Sequence, residues 1–405
     1  MEAESPNSST VQRLCNKCAE YDWVYIISGY KTLDGGLEEN TKCLKSPSWG
    51  TQDVMGGSYY RRRYYPGVFY KRDPHPNPNL RDVFIFPLLS LGEMKSTAST
   101  CSTIKTWWSN CRQHHGQQCS RAQSHSVLTR LSAEVCAAFR VIDVKEKRVI
   151  PASPNSDYVA LSYVWGRPKL GRTFRQAFLG PLPDDLSQAQ TLTLNMEEIP
   201  RTIRDAIDVV ERLGEHYLWV DALCIFQEDV SKKLQMISIM DKIYRQAILI
   251  IIAAGGNNSD SGLGGLQPRS RNFEQVVGTI CDQRMVKLST RCDTLLNASS
   301  WTSRAWTYQE EHFSKFKLVF VGDRVFYKCP GAFEYAEDVT EYVHADRIPV
   351  IESNINSEWP FDAVSKYIKH VEQYTTRQLS FPDDILNAFT AIIQDYSETY
   401  HTEFC

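Results

Sequence analysis

Apolar residues in the middle of the chain alternate between strand-length runs and helical spacing. Tyr158 to Tyr163 is a short apolar run of strand length. Ile203, Ala206, Ile207, Val210 and Leu213 recur every three or four residues, which places them on one face of a helix. Thr202 and Asp205 have the spacing of a capping box at its start, and Gly214 suits its end. Tyr217-Leu218-Trp219-Val220 predicts the next strand, and Leu234, Ile237, Met240, Ile243 and Tyr244 predict a second amphipathic helix. Ile248 to Ala254 is apolar at every position, as a strand covered on both faces should be. Strands and helices alternating at these intervals imply right-handed crossovers and a parallel sheet.

The flanks read differently. Residues 1–10 are polar and expected to be disordered, and 11–150 form an irregular N-terminal region. That region holds the aromatic-basic cluster Tyr59 to Tyr65, a proline-rich stretch from Pro74 to Pro78, a Cys/His group, and a strand pattern from Phe139 to Val144. Gln176 to Pro200 reads as a connector. The central domain is expected at 156–312, with a helix over Ala305 to Phe313. Residues 313–405 should form a hairpin around Gly322-Asp323 and a helical extension from Trp359.

Composition narrows the class. The 405 residues are 42% hydrophobic and 23% charged, enough for a buried core. A net charge of −3 provides no field that would draw the chain onto nucleic acid or anionic lipid. No apolar signal core follows the start and no run reaches membrane-spanning length, so a cytoplasmic protein is expected, with neither nucleic acid nor membrane as partner. Twelve cysteines are scattered through the chain and are expected as thiols in such a compartment.

Several segments carry a family resemblance. Tyr158-Val159-Ala160-Leu161-Ser162-Tyr163-Val164-Trp165-Gly166 resembles the opening signature of the fungal heterokaryon incompatibility (HET) domain. Ile199 to Ala206, Leu213-Gly214 with Tyr217 to Ile225 and Gln227-Glu228-Asp229, and Met240, Ile243-Tyr244 and Ala247 resemble its next blocks. Gly262-Leu263 resembles the following loop, and Ser303-Arg304-Ala305-Trp306-Thr307-Tyr308-Gln309-Glu310 the closing block. Ile104, Trp107, Cys111, His115 and Cys119 resemble a segment often found upstream, and Phe381 to Phe389 one often found downstream. Phe226, Gly264 and Phe316 depart from the usual pattern.

The resemblance implies an α/β fold: a TIR-like, flavodoxin-like parallel sheet with flanking helices, plus the irregular N-terminal region and the helical tail. It also implies a site. Trp306 followed four residues later by Glu310 resembles the helix that carries the catalytic glutamate in NAD-cleaving members of that fold. Ligands of open parallel sheets bind beyond the carboxyl ends of the strands. Glu310 and Asp221 are therefore the expected catalytic residues, with Trp165, Gly166, Cys224, Gln227, Gly255 and Trp306 as expected ligand contacts. NAD would be a substrate, and no bound cofactor is assigned. A competing reading makes Glu310 a solvated helix residue resting on Trp306, Cys224 a buried thiol, and Trp165, Trp219 and Trp306 parts of the core.

Other chemistry is weighed and set aside. Cys15-x-x-Cys18 with Cys111, His114 or His115, and Cys119 has ligand types suited to zinc, but nearly the whole N-terminal region separates the two groups. Packed thiols are the favoured reading, and no metal ligand is assigned. No Gly-x4-Gly-Lys-Ser/Thr and no Gly-x-Ser-x-Gly occurs, which disfavours a P-loop nucleotidase and an elbow-type serine hydrolase. The implied role is an effector of non-self recognition that triggers cell death, activated by another incompatibility protein or by self-association. Two other readings are open: a biosynthetic enzyme cyclising a small molecule in an aromatic pocket, to which Phe226 and Phe316 point, and an interaction module without chemistry.

Overall fold

The computed structural model describes residues 100–115, 119, 133–153, 155–166, 173–184, 190–266, 292–330, 360–379 and 381–400, with strands at 68–69, 84–87, 277–280, 283–287 and 332–336. The Tyr59–Tyr65 cluster, the Pro74–Pro78 stretch, residues 1–10 and the Cys15/Cys18 pair lie outside the described residues.

The chain divides into two compact units. The smaller comprises residues 1–94, 274–289 and 338–342. Its described part is a four-stranded antiparallel sheet built from β1 (Val68–Phe69), β2 (Phe84–Pro87), β9 (Val277–Ile280) and β10 (Gln283–Lys287), in the order β1-β2-β10-β9.

The larger unit is built on a nine-stranded sheet: β3 (Arg140–Asp143), β4 (Arg148–Pro151), β5 (Val159–Tyr163), β6 (Leu192–Thr193), β7 (Tyr217–Trp219), β8 (Leu249–Ala253), β11 (Lys317–Val321), β12 (Arg324–Cys329) and β13 (Ala332–Ala336). Their spatial order is β13-β12-β11-β8-β5-β7-β3-β4-β6. The four in the middle, β11, β8, β5 and β7, are mutually parallel. Ranked by position in the chain they run 2-1-3-4, the order in which flavodoxin-like sheets begin. The expected parallel sheet is thus the centre of a mixed one. Antiparallel β3, β4 and β6 extend one edge and the β11–β12–β13 meander the other.

The composition of the strands accounts for this arrangement. Every residue of β5 and β8 is buried, as apolar runs covered on both faces require. The Arg201–Leu213 helix, which links β5 to β7, buries all five residues of its apolar face and ends at Gly214 with φ of 83°.

Two helical expectations need correction. Thr202 and Asp205 form no capping box: the helix starts at Arg201 with Pro200 as its cap and no side-chain cap bond. Inside the helix, their side chains accept amides of the loop after β8 instead. The stripe from Leu234 to Tyr244 is not one helix but two, Val230–Ile237 and Met240–Gln246. The Ser238 hydroxyl bonds back to the Gln235 carbonyl and the chain turns there, leaving Leu234 59% exposed.

The expected hairpin around Gly322-Asp323 is present as β11–β12. The helical tail is present as Pro360–Thr375 and Asn387–Tyr400. These helices bury Tyr367, Tyr374, Phe389, Ile392 and Tyr396 against Ala305, Tyr308 and Phe313 of the Trp306–Phe313 helix region. β6 lies within what the sequence suggests is a plain connector. Among the described residues no helix is long and apolar enough to cross a membrane.

Candidate active site at the strand ends

In the 2-1-3-4 order the chain leaves β5 toward β7 on one side, while β8 lies on the other. Such a switch point opens a crevice beyond the strands' carboxyl ends. Trp165 and Gly166 follow β5, Asp221 follows β7, and Gly255 and Gly256 follow β8.

Trp165 is 38% exposed, so it is not a core residue. Its indole N–H donates to both carboxylate oxygens of Asp221, at 3.0 and 3.2 Å. Gly166 has φ of 67°, and a Cβ there would stand 2.5 Å from the Asn258 Cβ, so the loop after β8 crosses where only glycine fits. The Ser259 amide donates to the Trp165 carbonyl at 3.1 Å, fastening that crossing.

Asp221 opens a short helix, Asp221–Cys224, and accepts the amide of Ala222 at 2.7 Å. Burial pushes its carboxyl up to about 6, against the pull of Arg304, the Ala222 amide and the Trp165 indole. The Gln227 side chain donates to the carbonyls of Asp221 and Ile225, both at 3.1 Å. It braces this turn, and its amide nitrogen faces backbone rather than the crevice. Cys224 does not meet the expectation of a ligand contact. It is 1% exposed, the Val220 amide donates to its sulfur at 3.4 Å, and burial pushes the thiol up to about 12. The short helix turns its third and fourth residues into the core.

Glu310 is 5% exposed, not a solvated helix residue. Its Oε2 accepts a short hydrogen bond from the hydroxyl of Ser162 in β5. That hydroxyl in turn accepts the indole N–H of the fully buried Trp301 at 2.7 Å. Burial pushes the Glu310 carboxyl up to about 7; Ser162, Arg304 and Tyr244 pull it down, and the negative charge of Asp221 pushes it further up. Asp221 and Glu310 therefore lie within electrostatic reach of each other, and Arg304 acts on both. The Arg304 guanidinium is anchored on the Tyr163 carbonyl at 2.7 Å. Trp306 turns elsewhere: it is partly buried and its indole donates to Asp384 of the C-terminal layer at 3.4 Å.

An open crevice of about 490 Å³ is lined by Ala254 to Asn257 after β8, Val321-Gly322 at the end of β11, and Leu295 and Ala298 to Ser300; neither Asp221 nor Glu310 lines it. Of the expected ligand contacts only Gly255 lines it. Its walls are mostly small residues. Phe226 and Phe316 are elsewhere: Phe226 is buried with the Arg140 guanidinium 5.1 Å from its ring, and Phe316 meets Trp108 edge-on. Ser162, Trp301, Tyr244 and Arg304 are the members of the site that the sequence reading did not assign. A serine in an otherwise aliphatic and aromatic strand is the local sign of Ser162.

Residues 158–310 match the family model described as "Heterokaryon incompatibility protein (HET)". This segment is a HET domain. Over 112 residues the chain is also 30% identical to "Heterokaryon incompatibility protein 6, OR allele" of Neurospora crassa. That alignment covers 27% of this chain and 16% of that protein, so the chain spans a small part of its relative's length. No solved structure matches the chain. The HET match opens on β5 and closes on Glu310, so Ser162, Asp221, Trp301, Arg304 and Glu310 all lie inside it.

Proposed function

We propose that this protein is an effector of fungal non-self recognition, in which the HET domain acts on NAD or a related dinucleotide and thereby causes growth arrest or cell death. The observation that supports this reading is a pair of carboxyl groups, Asp221 and Glu310, both raised toward neutrality and both under the influence of Arg304 at the switch point of the sheet. Cleaving the bond between nicotinamide and ribose needs little acid help, because the leaving group is already cationic. It needs a carboxylate near the ribose, an aromatic surface for a ring and exclusion of bulk water. Asp221 and the exposed Trp165 offer the first two.

The roles of the two carboxyls follow from their exposure. Asp221, half-buried where Glu310 is buried and bonded to the exposed Trp165, is the group assigned to meet a ligand. Glu310, held behind β5 by Ser162, acts as a positioning residue through Arg304 and the strand. Activation by another incompatibility protein or by self-association remains part of the proposal. Nothing in the geometry favours the aromatic cyclisation pocket, since the crevice is lined mostly by small residues and Phe226 and Phe316 are packed elsewhere.

The test is induced expression in a fungus, with the chain fused to a dimerising tag, while growth and cellular NAD are followed. Wild type should arrest growth and deplete NAD. Asp221→Asn should lose NAD depletion with an unchanged circular dichroism spectrum. Glu310→Gln should retain part of it and shift its pH profile in lysates. Arrest with constant NAD would reject the chemistry and keep the effector; no arrest at all would reject both.

A further inference from the structure

Among the described residues, one cluster of metal-ligand side chains shares no residue with the lining of the crevice. The Thr100–His114 helix carries Cys111 in its last turn, and His115 follows directly. Cys119 is four residues further on, and Cys329 is the last residue of β12. The three sulfurs and the imidazole nitrogen all lie within 4.8 Å of one another. Cys111, Cys119 and Cys329 are each buried, and none is in a disulfide.

We propose that Cys111, His115, Cys119 and Cys329 bind one structural zinc ion. The distances fit. His115 Nδ1 is 3.5 Å from the sulfur of Cys119 and 3.3 Å from that of Cys329. A tetrahedral site with Zn–S of about 2.3 Å and Zn–N of about 2.0 Å sets nitrogen and sulfur about 3.5 Å apart. Three thiolates and one imidazole with no open position make the donor set of a structural site rather than a catalytic one.

The second ring nitrogen is also provided for. His115 Nε2 is 2.8 Å from the Tyr335 hydroxyl. With Nδ1 on the metal, Nε2–H donates to that phenol, which fixes the tautomer and the ring plane. Trp107, Trp108 and Tyr327 surround the cluster, with Trp107 stacked on Tyr335 and Trp108 edge-on to Tyr327, and keep bulk water from it.

Spacing along the chain favours packed thiols, because nearly the whole N-terminal region separates Cys111, His115 and Cys119 from Cys15 and Cys18. The fold supplies the fourth ligand from a position 214 residues beyond His115. All four ligands fall outside residues 158–310. The ion would pin the helix before the HET domain to the hairpin after it, with β12 as the common wall.

The experiment uses the full chain, expressed with zinc in the medium and purified under reducing, chelator-free conditions. Elemental analysis should find one zinc per chain, and X-ray absorption should find a shell of three sulfurs and one nitrogen. Cobalt exchanged into wild type should show the thiolate charge-transfer and ligand-field bands of a tetrahedral site. The double variant Cys119→Ser/Cys329→Ser should lose the metal, while Cys136→Ser, outside the cluster, should keep it. Because the double variant could unfold, wild type is also titrated with a zinc chelator, and its melting temperature should fall as zinc leaves. Wild type without zinc and without cobalt bands overturns the proposal. So does zinc that survives the double substitution.

Discussion

A carboxyl removed from water must be solvated by protein, and Glu310 has the Ser162 hydroxyl and the influence of Arg304 and Tyr244 for that purpose. The balance leaves it near 7 against an ordinary 4.5, so the folded chain holds a proton that the unfolded chain releases. The sign follows: this group favours folding below pH 4.5, and its contribution is lost as pH rises through about 7. The gap amounts to about 3 kcal/mol at most. Glu310→Gln keeps an oxygen for Ser162 and has nothing to ionise. The melting temperature of the variant minus that of wild type should therefore increase between pH 4.5 and pH 7.5 and level off above. A difference that stays flat across that range would mean the carboxyl ionises without cost. Glu310 was legible through the closing motif, and Asp221 through its place at a strand end. The burial of Glu310 was not. Thr307, Tyr308, Gln309 and Glu310 are four buried residues in a row, a pattern that arises only when a helix is covered by a sheet on one side and by other helices on the other.

Elements close on one another through polar groups that periodicity does not register. Thr202 and Asp205 have capping-box spacing, yet they serve the loop after β8. The Thr202 hydroxyl accepts the amide of Gly262 at 3.0 Å, and the buried Asp205 accepts that of Leu263 at 2.8 Å. Gly262 has φ of 76°, and a Cβ there would lie 2.7 Å from the Asp205 carboxylate and the Arg201 guanidinium. The loop that crosses Gly166 is thus held at its far end by the helix between β5 and β7. Asp205→Ala would leave the Leu263 amide without its acceptor and cost about 1–3 kcal/mol. Hydrogen exchange should accelerate at residues 257–263 while β8 stays protected; unchanged exchange there would show that the loop holds itself. The helix face from Ile203 to Leu213 was readable because it repeats with the helical period. The break at Ser238 was not, since a hydroxyl that turns back on its own helix looks in sequence like any other polar residue.

The whole molecule sets a boundary that family resemblance does not. The HET match ends at Glu310, but β11 begins at Lys317 and pairs in parallel with β8 over four residues. A fragment of residues 158–310 would leave β8 with an open edge of unpaired amides and carbonyls. It should be aggregated or melt without a cooperative transition, whereas the full chain should show a cooperative one by circular dichroism; a fragment that melts sharply would place the folding unit inside the match. β3, on the opposite side of the parallel strands, likewise precedes the match and covers β7.

From the sequence alone came the central elements: the strands near 158–163, 217–220 and 248–254, the helix face from Ile203 to Leu213, and the words that mark a HET domain. These are local properties, written in the spacing of apolar residues and in short motifs. The tertiary structure decided how the sheet is ordered, that the parallel strands are flanked by antiparallel ones, and that Glu310 is buried while Asp221 is half-buried. It also brought Cys329 to Cys111, His115 and Cys119. Contacts of that kind depend on where strands far apart in the chain come to lie side by side, and no local spacing records it.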